Sequence, residues 1–247
     1  MKNRACLLAA ALPLAAALAA CVHGTGANPV RRISADRWAE FPAAGYVVRN
    51  DVWGRGPGPQ TIWMRSPADW GVRADHPDTN GIKAYPHAGR AVGRRLDAIA
   101  ACASRFAVAV PAAGSYNSAY DIWCEHHAYE IMLWLNWRGR MGPIARSWDA
   151  QGRPAVELTA VTVGGHTWDV YKGTNGQNVV ITFLCQSPAT AGSVDVKAVL
   201  DWVRARGWFD GHAHGNVLLD EVEFGWEITA SPGGLDFAVT DFAVDVR

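Results

Sequence analysis

The strongest constraint on the fold is a period of two. Phe106–Val110, Ala119–Trp123, Tyr129–Trp137, Ala155–Val163, Thr167–Tyr171, Val179–Leu184, Val217–Thr229 and Leu235–Val246 are rich in β-branched and aromatic residues and read as strands. Successive side chains fall on opposite faces in a strand, so such runs bury one face each against a partner sheet. Gly, Pro, Asn and Asp punctuate them in RGPGPQ, HPDTNG, VPAAGSYN, GTNGQN and SPGG. Gly164–Gly165, between two runs, predicts a tight hairpin. One segment departs from the pattern. In Asp195–Arg206, Val196, Val199, Leu200 and Val203 recur at helical spacing, with an acidic start, a basic end and Gly207 at the stop. Arg90–Cys102 fits either a helical turn or a passage from loop to strand. Many strands with one helix predict an all-β jelly roll, two antiparallel sheets packed as a sandwich.

The N-terminus is of another kind. Met1–Arg4 is basic, and Leu7–Ala20 is apolar but short for a bilayer span. Leu18–Ala19–Ala20–Cys21 resembles a bacterial lipobox, in which the cysteine is lipidated and becomes the mature N-terminus. The expected division is a signal peptide over 1–20, a lipid-anchored tether over 21–30 and one domain over 31–247. The protein is then exported and held at the bacterial cell envelope, or otherwise secreted, as a monomer. Cys102, Cys124 and Cys185 are three remaining cysteines, so at most one disulfide forms among them. Formal net charge is +0, with no basic excess for phosphate contacts, which argues against nucleic acid as a partner. Trp numbers 12 against six Tyr and seven Phe. About half are expected in the core; the rest suit the C–H faces of sugar rings.

Parity locates the chemistry. In Tyr129–Trp137 one face carries Tyr129, Ile131, Leu133, Leu135 and Trp137, a core face. The other carries Glu130, Met132, Trp134 and Asn136, the mixture expected of a half-wet groove. A carboxylate beside that much apolar surface costs free energy unless it is paired or used. In Val217–Thr229, Val222, Phe224, Trp226 and Ile228 form the apolar face, and Glu221, Glu223, Gly225, Glu227 and Thr229 the opposite one. Glu221 and Glu223 are expected on a solvated outer face. Gly225 beside Glu227 leaves room for a ligand or a neighbouring strand. Two carboxylates on separate strands of one concave sheet can break a glycosidic bond, with retention when about 5–5.5 Å apart and with inversion when further apart. His212 and His214 have a spacing found at metal sites, but a polar loop explains them, and neither metal nor cofactor is expected.

These residues sit in contexts that resemble glycoside hydrolase family 12, retaining endo-β-1,4-glucanases with a jelly-roll fold. The matching pieces run in order: NDVWG from Asn50, GIKAYP from Gly81, AYDIW from Ala119, EIMLWLN from Glu130, GPI from Gly142, WDVY from Trp168 with GTNG from Gly173, and FGWE from Phe224. The resemblance implies Glu130 as nucleophile, Glu227 as general acid/base and Asp121 as the aspartate that hydrogen-bonds the nucleophile. It implies substrate contacts at Asn50, Trp53 and Pro143, with Met132 beside Glu130; parity adds Trp134 and Asn136 to the cleft face. The implied partner is a β-glucan polysaccharide or oligosaccharide, of cellulose or mixed-linkage type. A xyloglucan-specific endoglucanase, a related jelly-roll xylanase and a non-catalytic glucan-binding lipoprotein are the alternatives. Ile228–Thr229 after the acid/base, and the short turn Glu125–His126–His127, depart from the family pattern and bear on substrate preference.

Overall fold

Glycine-rich turns cut this chain into short strands, and two sheets collect them. The structure, a computed structural model, describes residues 31–247. The expected signal segment, Cys21 and the tether lie outside the described residues. The strands are β1 (Arg32–Ser34), β2 (Glu40–Ala43), β3 (Tyr46–Arg49), β4 (Gln60–Ser66), β5 (Asp69–Ala74), β6 (His87–Arg95), β7 (Cys102–Ala109), β8 (Ser115–Cys124), β9 (Tyr129–Arg138), β10 (Leu158–Val163), β11 (His166–Thr174), β12 (Val179–Cys185), β13 (Ala191–Asp195), β14 (Leu218–Ala230) and β15 (Leu235–Val246), with helix α1 (Val196–Ala205) between β13 and β14. Six form one sheet in the order β1-β4-β5-β15-β7-β13. Nine form the other in the order β10-β11-β12-β9-β8-β14-β6-β3-β2.

The period-two reading gives the right faces as far as Leu135, where a bulge reverses the parity: Trp137, expected on the core face, packs against the cluster of Ala119, Met132, Trp134 and Val180 instead. Ile131, Leu133 and Leu135 of β9, and Val222, Phe224, Trp226 and Ile228 of β14, are all fully buried between the sheets. Phe224 packs 4.7 Å from Tyr120 and 5.4 Å from Phe106, ring centre to ring centre, and Trp226 meets Trp70 edge-on at 5.1 Å. Such tilted and edge contacts are the favoured aromatic geometry. Helix α1 buries Val196, Val199, Leu200 and Val203, and the Asp195 side chain caps it by accepting from the Ala198 amide. Gly164 and Gly165, both left-handed, turn β10 into β11.

The structure corrects three expectations. Arg90–Cys102 is the end of β6, a single 3₁₀ turn at Leu96–Ala98 and the start of β7. The sheets are not wholly antiparallel, because β12 runs parallel to β9. The chain leaves β9 by the long connection 139–157 and returns through the β10–β11 hairpin, which reverses the direction in which β12 arrives. The strand expected from Ala155 begins at Leu158. The three cysteines are free thiols, all buried.

Candidate active site

Strands β9, β8, β14 and β6 lie side by side at the middle of the nine-stranded sheet, and their non-core faces make the floor of a cleft. Register places the side chains. Glu130 is level with Trp123 on β8, which is level with Glu221 on β14. One pair along, Met132, Asp121 and Glu223 form the next row; further along, Glu227 is level with Asn117. Two contiguous cavities, of about 350 and 450 Å³, share Trp53, Glu130, Asn175 and Glu227. The larger continues over Asp51, Tyr85, His87, Asp121, Trp123, His127 and Glu223; the smaller over Met132, Trp134, Arg140, Met141 and Thr229.

Glu130 and Glu227 both line this cleft, each 9% exposed. Burial pushes Glu130 up to about 8, and the charges of Glu227 and Glu223 add to the effect. Burial pushes Glu227 up to about 7, opposed by the Asn117 amide, which donates to Glu227 Oε2. Asn117 Oδ1 in turn accepts from the Glu227 backbone N–H at 3.1 Å, so one buried amide fixes both ends of the residue. Ionising one carboxyl raises the cost of ionising the other. The pair therefore loses its protons in two steps, with a single proton held only between those steps.

Register sets Asp121 between Met132 and Glu223, one row from Glu130 on the same face. Its Oδ1 is buried with no hydrogen-bond partner among the described residues. Burial, then Glu130, Glu227 and Glu223, hold its carboxyl well above the ordinary range.

Glu223 corrects the sequence reading most. Expected on a solvated face, it is 7% exposed and lies in the cleft. Trp123 Nε1 donates to its Oε2 at 2.9 Å, and His87 Nε2 lies 3.0 Å from its Oε1. Arg49 Nη1 is 3.6 Å from Glu223 and 3.1 Å from Glu221, which is itself only partly exposed. Burial alone raises the Glu223 carboxyl, but His87, Trp123 and Arg49 outweigh it and hold it below the usual value. His87 Nδ1 lies 2.7 Å from the Tyr85 carbonyl, so both ring nitrogens meet acceptors. Burial lowers the His87 pKa, yet Glu223 and Asp51 bring the net shift upward.

The remaining predicted residues divide. Trp53 is 49% exposed at the cleft, and Met132 and Trp134 line its floor. Asn50 does not reach it. Its side chain is fully buried, donating to the Asp36 carbonyl at 2.7 Å and accepting from Gln60 Nε2 at 2.9 Å. Asp51, with φ of 41°, turns toward the cleft instead. Asn136 accepts from Ser118 Oγ and donates to the Ala189 carbonyl, below the cleft lining. Pro143 is buried between Gly142 and Ile144, which line the cleft in its place. Gly225 makes room for a strand: a Cβ there would lie 2.0 Å from the Pro86 carbonyl. Sequence reasoning missed Asn117, Trp123 and Glu223, although strand parity puts the first two on the face of Asp121 and the third on the face of Glu227. Asp51, Tyr85 and His87 lie in or beside loops, where no period marks a face. His212 packs edge-on to Tyr129 at 5.6 Å, and among the described residues no cluster of metal-ligating side chains forms.

Comparison with known proteins agrees with this geometry. Residues 44–247 match the sequence profile of Glycosyl hydrolase family 12. Endoglucanase S of Pectobacterium parmentieri is 27% identical over 236 residues, covering 82% of each chain. A probable xyloglucan-specific endo-beta-1,4-glucanase A of Aspergillus terreus is 29% identical, covering 79% of this chain and 82% of its own. Among solved structures, the xyloglucanase domain of NopAA, a type three effector from Sinorhizobium fredii in complex with cellobiose, is 36% identical. It superimposes with a TM-score of 0.83 over 87% of this chain and 99% of its own. Endoglucanase cel12A from Rhodothermus marinus, 26% identical, gives 0.75 over 88% and 99%.

Proposed function

The chain belongs to glycosyl hydrolase family 12, and from that premise we propose that it cleaves internal β-1,4 bonds of glucans by double displacement, with Glu130 as nucleophile and Glu227 as acid/base. The observation that carries this is the pair of buried carboxyls, Glu130 and Glu227, lining one cleft together with aromatic rings. The ionised Glu130 attacks the anomeric carbon. As that bond forms, the bond to the leaving oxygen breaks, and Glu227 donates its proton to that oxygen. A glycosyl-enzyme results. Glu227, now ionised, takes a proton from water, whose oxygen displaces Glu130 and restores the original configuration. The ionised Glu223 keeps the cleft beside Glu130 negative, which favours the positive character that develops at the sugar ring.

Glu130→Gln tests this reading. Hydrolysis of soluble β-glucans should fall by three or more orders of magnitude while thermal unfolding stays cooperative; near-wild-type turnover would sink the assignment. A second reading, a preference for xyloglucan, is favoured by the similarity to the Sinorhizobium fredii xyloglucanase domain and the Aspergillus terreus protein. Relative rates on carboxymethyl cellulose, mixed-linkage β-glucan and xyloglucan decide between the two. We also propose that Cys21 carries a lipid anchor at the cell envelope, supported by the small residues that precede it directly.

A further inference from the structure

Resting on that glucan reading, we propose that Trp123 is a stacking platform for a neutral sugar ring, and that Glu223 and His127 are positioning residues that lock its indole in place. Three independent features converge on Trp123. The first is its place: it is level with Glu130 on the neighbouring strand, is partly exposed and lines the larger cavity. The second is beneath it. The indole N–H, its one polar edge, is bound to Glu223 at 2.9 Å. Glu223 is held in turn by His87 and Arg49, and Arg49 by Glu40 at 3.0 Å and Glu221 at 3.1 Å. With its polar edge fixed, the ring offers the cleft only apolar surface, which suits the C–H face of a hexose.

The third feature is the turn above. Glu125, His126 and His127 all have left-handed backbones, with φ of 53°, 55° and 66°. Non-glycine residues seldom adopt this conformation, and three in succession require strong restraint. The restraint is present. Glu125 is bound by Arg95 at 2.6 Å and by the Leu218 amide at 2.9 Å, the His127 amide donates to Asp220 at 3.1 Å, and Asn178 Nδ2 donates to the His127 carbonyl. The outcome of this strained turn is that the His127 ring lies 4.6 Å from Trp123, 14° from parallel. His127 thus covers one face of the indole and holds the ring upright, and the opposite face is the one on which a sugar would stack.

A platform contributes only when a sugar reaches it, so the penalty for loosening it grows with chain length. The test compares wild type, Trp123→Phe, Glu223→Gln and His127→Ala on cello-oligosaccharides from cellotriose to cellohexaose. KM for the longest should rise about three- to tenfold in each variant, with a smaller rise for the shortest and a smaller change in kcat. Trp123→Phe combined with Glu223→Gln should cost less than the product of the single effects, since Gln loosens the hold on the ring by losing the ion pairs to His87 and Arg49, and Phe has no N–H left to be held. Penalties equal at every length, or multiplicative in the double variant, overturn the proposal. If Glu223→Gln unfolds, His127→Ala, an exposed side chain, carries the same length test. A wild type that cuts no β-1,4-glucan removes the underlying reading instead; turnover with length-independent penalties removes the platform alone.

Discussion

Replacing Glu227 by Gln should separate stability from activity, and the size of the separation follows from burial. Glu227 is 9% exposed, and its pKa is raised from 4.5 to about 7. The folded chain therefore holds this proton more tightly than the unfolded chain. Wild-type stability is unaffected below about pH 4.5, declines as pH rises and levels off above about pH 7. The difference corresponds to about 3 kcal/mol at pH 8. A glutamine carries no charge to desolvate, and its carbonyl still accepts from Asn117. It also spares Glu130 a nearby charge that helps raise its pKa. The variant should be nearly equal to wild type at pH 4 and more stable by about 3 kcal/mol at pH 8, roughly 6–12 °C in Tm for a domain of this size. Hydrolysis should fall by about two to four orders of magnitude with loss of the general acid/base. Thermal unfolding followed from pH 4 to 9, alongside glucan hydrolysis, measures both. A Tm difference that does not change with pH, or a wild type more stable at pH 8, refutes the reasoning.

Other expectations follow from single features. Gly225→Ala should lose about 1–3 kcal/mol or more in denaturant unfolding, because the new methyl group meets the Pro86 carbonyl and His87 backbone rather than open cleft. Trp53→Ala, at a half-exposed cleft position, should raise KM for β-glucan more than it lowers kcat; an unchanged KM would remove Trp53 from the binding surface. Burial pushes the Cys102 thiol up to about 12 and raises Cys124 and Cys185, so a thiol reagent at pH 8 should label these cysteines only after denaturation. Cys21→Ser should move the protein from the membrane fraction to the soluble one; a wild type already soluble would end the lipid-anchor reading.

What the sequence made legible was whatever a strand repeats. On β9, alternation alone separated Ile131, Leu133 and Leu135 from Glu130, Met132 and Trp134, and the structure keeps that division. On β14 the same rule put Glu223 on the correct face, yet suggested water there. Period tells which side of a sheet a residue occupies; it does not tell what covers that side. The cover comes from β6 and β3, whose His87 and Arg49 enclose Glu223. Loop residues were less legible still. Asn50 and Asp51 are adjacent and similar in size, and only the left-handed turn at Asp51 decides which one enters the core and which the cleft.

That enclosure has a consequence for the chemistry. Five carboxyls, Asp51 among them, share one cleft, and the fold treats them unequally. Glu223 receives His87, Arg49 and Trp123 and stays ionised; Glu130, Glu227 and Asp121 receive little beyond the Asn117 amide and are pushed up. A fixed negative charge raises the proton affinity of its neighbours without competing for the proton itself. Glu223 thus helps keep a proton within the catalytic pair at neutral pH, while its own ion pairs hold the Trp123 ring. Neutralising it should lower the pKa of the pair and shift the alkaline limb of the pH–rate profile toward acid. An alkaline limb unmoved in Glu223→Gln would confine Glu223 to holding the ring.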